Sequence, residues 1–172
     1  MTPASPVLPI SSVWNDLMNN WAIVGIGNPD RQDDGAGWRV IDGIRGQVPP
    51  EVYLTKQKGN IEALLDLFSR YSSIILVDAC LSEDKAGTWR RIDALHEAIP
   101  MEKVRASTHG FGISQAIHLA RTLHQLPSKL FLYALSGKEF QMGNSLSSSV
   151  EEAIPHIIKD ILSCMKNLSP TT

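Results

Sequence analysis

Three side chains in this sequence have the chemistry to contact a divalent transition metal: the carboxylates of Asp34 and Asp78 and the imidazole of His109. Two oxygen donors and one nitrogen donor suit such an ion. A coordinated cation polarises a carbonyl and activates water, and a carboxylate pair can alternatively supply a general base without it. The three residues are far apart along the chain. No local metal motif joins them, so joint action requires the fold to bring them together. Cys80, two residues past Asp78, reads either as a soft ligand or redox-sensitive thiol, or as a small buried hydrophobe.

Each candidate also has a structural reading. Asp34 precedes a helical pattern, where a carboxylate ordinarily accepts backbone N–H groups as an N-cap. Both roles fit if Asp33 caps and Asp34 points into a cleft. Asp78 ends an apolar run, where a carboxylate costs free energy unless it is paired or coordinating. Gly110 and Gly112 beside His109 let backbone come close to a ligand. His96, His118, His124 and His156 lie on helical or loop patterns and read as solvated, and Cys164 reads as packing in the last helix.

Several other chemistries are disfavoured by what is missing. Gly25-Ile26-Gly27 begins a dinucleotide fingerprint, but Asp30 stands where the third glycine belongs and would repel a pyrophosphate. The sequence has no G-x-S-x-G elbow, no Walker A loop and no H-E-x-x-H helix. Ser107 near His109 does not make a serine triad without an oxyanion loop.

The elements that must position these residues follow from hydrophobic patterning. Ala22 to Ile26, Ile74 to Val77 and Leu130 to Leu135 are continuous apolar runs. Such runs mark strands buried on both faces of a parallel sheet. Val52 to Thr55 and Thr88 to Ile92 read as edge strands, the second with one face to water, and a weaker strand is expected around Val104. Helical patterns cover Gly35 to Gly46, Asn60 to Arg70 with Asn60 as N-cap, Ile113 to Leu126, and a last helix capped by Ser147 or Ser149 and reaching Leu168. Pro155 should kink that helix or move its first turn later. The expected fold is α/β: three layers, with a twisted, mostly parallel sheet of about five strands and helices on both faces. Ligands in such sheets sit beyond the carboxyl ends of the strands, which is where Asp34, Asp78 and His109 fall.

Composition sets the outer bounds. A chain of 172 residues with a formal net charge of −2 suits one globular domain, and it lacks the basic field of a nucleic-acid binder. Two cysteines cannot make a disulfide framework, and the opening residues do not read as a signal peptide, so a cytoplasmic setting is expected. No apolar run nears the roughly 20 residues needed to span a bilayer. The expected organisation is an irregular extension over 1–20, a single domain over 21–168 and a tail over 169–172.

The residues then carry a family pattern. Gly25-Ile26-Gly27-Asn28-Pro29-Asp30-Arg31-Gln32-Asp33-Asp34-Gly35-Ala36-Gly37 resembles the N-terminal signature of the hydrogenase maturation proteases. The likeness continues through Val77-Asp78-Ala79, Ser107-Thr108-His109-Gly110-Phe111-Gly112 and Leu146-Ser147, in the same order. The resemblance implies an endopeptidase that removes the C-terminal extension of a nickel–iron hydrogenase large-subunit precursor after nickel insertion. It implies that Asp34, Asp78 and His109 contact nickel already in the substrate, so the metal reports readiness for cleavage. No permanently bound cofactor is then expected; cadmium or zinc could stand in for the nickel in crystals. The family is grouped with aspartic-type endopeptidases, and the nucleophile is read as water activated by carboxylate or metal, with Asp34 and Asp78 catalytic. The implied partner is the large-subunit precursor, with no nucleic acid and no membrane.

This chain departs from the family pattern at Cys80, where many relatives carry a small residue, and in the polar stretch Pro29-Asp30-Arg31-Gln32. Those positions could alter which large subunit is accepted. Two alternatives remain open. A peptidyl-tRNA hydrolase shares the opening G-x-G-N-P, but expects a histidine where Arg31 to Asp34 stand. A non-catalytic metal-sensing chaperone of the hydrogenase precursor would use the same three ligands.

Overall fold

The computed structural model describes residues 20–99 and 108–168, with 108–111 described by their backbone alone. The expected extension at the N-terminus, the weak strand around Val104 and the tail after Leu168 lie outside the described residues.

Five strands form one sheet: β1 (Trp21–Ile26), β2 (Tyr53–Gln57), β3 (Ser73–Leu81), β4 (Trp89–Asp93) and β5 (Lys129–Gly137), in the order β2-β1-β3-β5-β4. All neighbours are parallel except β4, which runs antiparallel to β5. The helices are α1 (Ala36–Ile44), α2 (Ile61–Arg70), α3 (Thr108–Thr122) and α4 (Ser148–Leu168), and a short 3-10 turn, Gln32–Gly35, leads into α1. This is the three-layer α/β fold expected from patterning.

The continuous apolar runs became the three central strands because both their faces are covered. Ile23, Ile75, Val77, Tyr133 and Leu135 pack against α1 and α4. Val24, Ile26, Ile74, Leu76 and Leu130 pack on the other face against α2 and α3. The expected edge strands, β2 and β4, are the two edges. The expected wet face of β4 is not observed as such. Ile92 is buried on one face and Trp89 stacks on Tyr133 on the other, with exposed Arg90 and Arg91 interleaved. Each face of β4 is thus partly covered by a helix layer.

Helix ends follow local chemistry. Asn60 caps α2 by accepting from Glu62 N at 2.8 Å and Ala63 N at 3.4 Å. The third helix begins earlier than Ile113 and stops at Thr122, short of Leu126. His124 there adopts φ 56°, while the amides of His124 and Gln125 bond back to Arg121 and Ala120. This left-handed stop overrides the apolar periodicity of Leu123 and Leu126. The last helix runs from Ser148 through Pro155 without interruption. The amides of Val150 and Glu151 bond to the carbonyl of Ser147, whose hydroxyl is engaged elsewhere.

Candidate active site at the carboxyl rim of the sheet

The loop after β1 is shaped by backbone before any side chain acts. Gly27 has φ 144°, and a Cβ there would strike the Asp34 carbonyl. That carbonyl accepts from Asn28 N at 3.2 Å, and Asp34 N donates to the Arg31 carbonyl at 3.1 Å. Gly25 and Gly37 serve close packing: a side chain on Gly37 would run into the carbonyls of Ile26 and Val77. The start of α1 therefore rests directly on β1 and β3. These glycines fit a helix to a sheet, which removes any need for a dinucleotide to explain them.

Asp34 is 1 % exposed, on a 3-10 turn that packs against β3. Asp78 is 4 % exposed and is not the end of its strand, as the sequence suggested. β3 continues to Leu81, paired with β5 throughout. What ends at this level is β1, since Val77 lies opposite Gly25 in a strand that stops at Ile26. Asp78 takes part in an interaction of its own, while its Oδ1 is buried without a hydrogen bond. By alternation Asp78 shares the face of Ile74 and Leu76, the side covered by α2 and α3. His109 lies in the first turn of α3 rather than in a loop after a strand. One turn on, Gly112 meets the backbone of Gly59, just past the carboxyl end of β2. The start of α3 thus lies near the carboxyl end of β2. Among the described residues no three His, Cys, Asp or Glu side chains form a metal-sized cluster.

Asp33 does something the sequence reading missed. Neither aspartate caps α1: its N-cap is Gly35, with no side-chain cap bond. Asp33 is fully buried and reaches across to the 138–147 loop. Its Oδ2 accepts from Lys138 N (2.8 Å), Glu139 N (3.0 Å) and the Ser147 hydroxyl (2.9 Å), and its Oδ1 from Ser147 N (2.7 Å). Arg31 and Gln32 join it. The Arg31 guanidinium donates twice to the Phe140 carbonyl, and the Gln32 side chain accepts from Gln141 N at 3.2 Å. Arg31 and Gln32, from the polar stretch that departs from the family pattern, thus join Asp33 in a clamp on the loop after β5. The only sequence signal was the doubling of Asp33 and Asp34.

Cys80 is buried, and burial, then the charge of Asp78, pushes its thiol up to about 11. It stays protonated at neutral pH, and its burial agrees with the small-hydrophobe reading. Cys164 is buried in α4, as expected. His96, His118, His124 and His156 are exposed, as expected.

The family model for hydrogenase maturation proteases matches residues 47–164. The chain belongs to the hydrogenase maturation protease family. No curated protein matches. Among solved structures, the chain is similar to the hydrogenase-maturating endopeptidase HybD from E. coli, with 21% identity, a TM-score of 0.75, and coverage of 86% of this chain and 93% of that one. It is also similar to the [NiFe] hydrogenase maturation protease HybD from Thermococcus kodakarensis (23% identity, TM-score 0.64, 88% and 99% covered). HycI from the same organism gives 18% identity, TM-score 0.62, and 90% and 99% coverage. These likenesses establish the shared fold. Membership in the maturation protease family sets aside the peptidyl-tRNA hydrolase alternative. No helix among the described residues is long and apolar enough to cross a membrane.

Proposed function

We propose that this protein is a cytoplasmic endopeptidase that removes the C-terminal extension of a nickel–iron hydrogenase large-subunit precursor once nickel has been inserted. Asp34, Asp78 and His109 are the contacts to the substrate's nickel. The observation that carries the reading is a pair of almost fully buried carboxylates, Asp34 and Asp78, on packed elements at the carboxyl rim of the sheet, in a chain of this family. Burial of acids at a strand-end cleft marks sites of chemistry more often than sites of packing.

The donor set suits the task. Carboxylate and imidazole groups bind nickel(II) without the soft thiolates that would strip it from its own ligands. Water activated by carboxylate or metal then attacks a carbonyl held in place. The protein needs no resident metal for this, because the substrate brings one.

The test is to incubate the protein with nickel-loaded and nickel-free precursor and read the C-terminus by mass spectrometry. The loaded precursor should lose its tail and the nickel-free form keep it. A loaded precursor that keeps its tail overturns the proposal.

A further inference from the structure

A groove of about 600 Å³ lies at the amino end of β2, at the end of the sheet opposite Asp34. Val48, Pro49, Pro50, Tyr53 and Tyr71 line it, with Arg45 and Glu51 beside them. The Tyr53 and Tyr71 rings stack with centroids 5.2 Å apart. Pro49 and Pro50 are exposed, and Tyr53 is 39% exposed although it opens a strand. A groove that leaves this much apolar surface open is suited to a covering segment.

The chain's own connectivity delivers such a segment. Strand register sets Ala22 opposite Tyr53 and Trp21 opposite Ser73, so Asn20 enters the sheet between the two strands whose amino ends carry Tyr53 and Tyr71. It is held there: its carbonyl accepts from Ser73 N at 3.1 Å and its Oδ1 from Ser72 N at 3.0 Å, one residue from Tyr71. A chain reaches at most about 3.5 Å per residue, so Leu17 stays within about 11 Å of Asn20 and Trp14 within about 21 Å. In the sequence, Val13, Trp14, Leu17 and Met18 have the spacing of one side of a helical turn. Residues 1–19 contain no Lys or Arg, and their sole charged side chain, Asp16, is opposite in sign to Arg45. So short a tether gives an effective concentration of about millimolar, which a second copy in dilute solution does not match.

We infer that the segment 13–18 docks in this groove as an intramolecular strap, seating Trp14 and Leu17 against Val48 and the Tyr53–Tyr71 stack. The strap closes the amino end of the sheet and leaves the carboxyl rim open. It is independent of the reaction proposed above.

Thiol protection in the full chain tests it. Val48→Cys places a small apolar thiol in the groove, and Ala98→Cys places one in a separate groove along α3 as control. Cys80 and Cys164 are buried, and peptide mass spectrometry reads each thiol separately. Iodoacetamide should alkylate the Val48→Cys thiol about tenfold faster once Trp14→Ser and Leu17→Ser are added, because the strap then spends more time undocked. The conservative pair Trp14→Phe and Leu17→Met should keep the protection. The rate at the Ala98→Cys thiol should stay the same throughout, and the protection at Val48→Cys should not change on dilution. Equal alkylation at Val48→Cys with and without the serine pair overturns the inference, as does an equal rise at Val48→Cys and Ala98→Cys. Protection that fades on dilution assigns the groove to a second copy's segment and overturns it too.

Discussion

The loop after β1 has two halves that each contain an aspartate and use it differently. In the first half, Arg31, Gln32 and Asp33 turn toward the 138–147 loop, and the Asp33 carboxylate takes four hydrogen bonds from it. In the second half, Asp34 to Gly37 turn back onto β1 and β3, and Asp34 is buried at the rim with Asp78. The switch happens between two adjacent aspartates because they sit on a 3-10 turn. With about three residues per turn, neighbouring side chains diverge by about 120°. One carboxylate therefore holds a wall while the next is buried where the turn packs against β3. Identical residues at adjacent positions need not share a role, and the local helix type decides how they part.

The sharpest way to break this division is at the rim. Asp34→Asn or Asp78→Asn should lower precursor cleavage by about 10²- to 10⁴-fold, the range for loss of a positioned acid–base group. The thermal midpoint should move by no more than a few degrees. A midpoint that collapses together with activity would make Asp34 a structural residue like its neighbour. Next in size is Asp33→Ala. It strips four acceptor contacts and leaves partly buried N–H groups unanswered, so urea unfolding should show a loss of about 3 kcal/mol. Stability unchanged by this substitution would mean that the clamp does not hold the rim. The smallest effect is electrostatic. The Cys80 thiol is raised to about 11 by burial and, after burial, by the Asp78 charge. Removing that charge in Asp78→Asn should shift the pH profile of Cys80 alkylation, followed by mass spectrometry, to lower pH. An unmoved profile would place the Asp78 charge away from the thiol.

Much of the architecture was legible because it depends on patterns a few residues long. The runs at Ala22, Ile74 and Leu130 announced strands covered on both faces, and Asn60 announced a helix start. Asp34 and Asp78 were legible as candidates because both follow apolar runs. What escaped depends on partners distant in sequence. Nothing near Asp33 indicates that its acceptors will be answered by Lys138, Glu139 and Ser147. Asp78 looked like a strand end because the apolar run stops there, yet pairing with β5 carries β3 on to Leu81. The left-handed His124 ended α3 against its own periodicity, since backbone bonds to Ala120 and Arg121 close the helix there.

The clamp also has a consequence in time. Asp33 precedes its partners by more than a hundred residues in sequence, and contacts of that span close late because a large loop must be ordered first. A chain emerging from the ribosome presents both candidate carboxylates before the segment held by Asp33 has been made. Synthesis order thus acts as a built-in delay. A chain cut short ahead of β5 would carry the acids but not the segment that Asp33 holds.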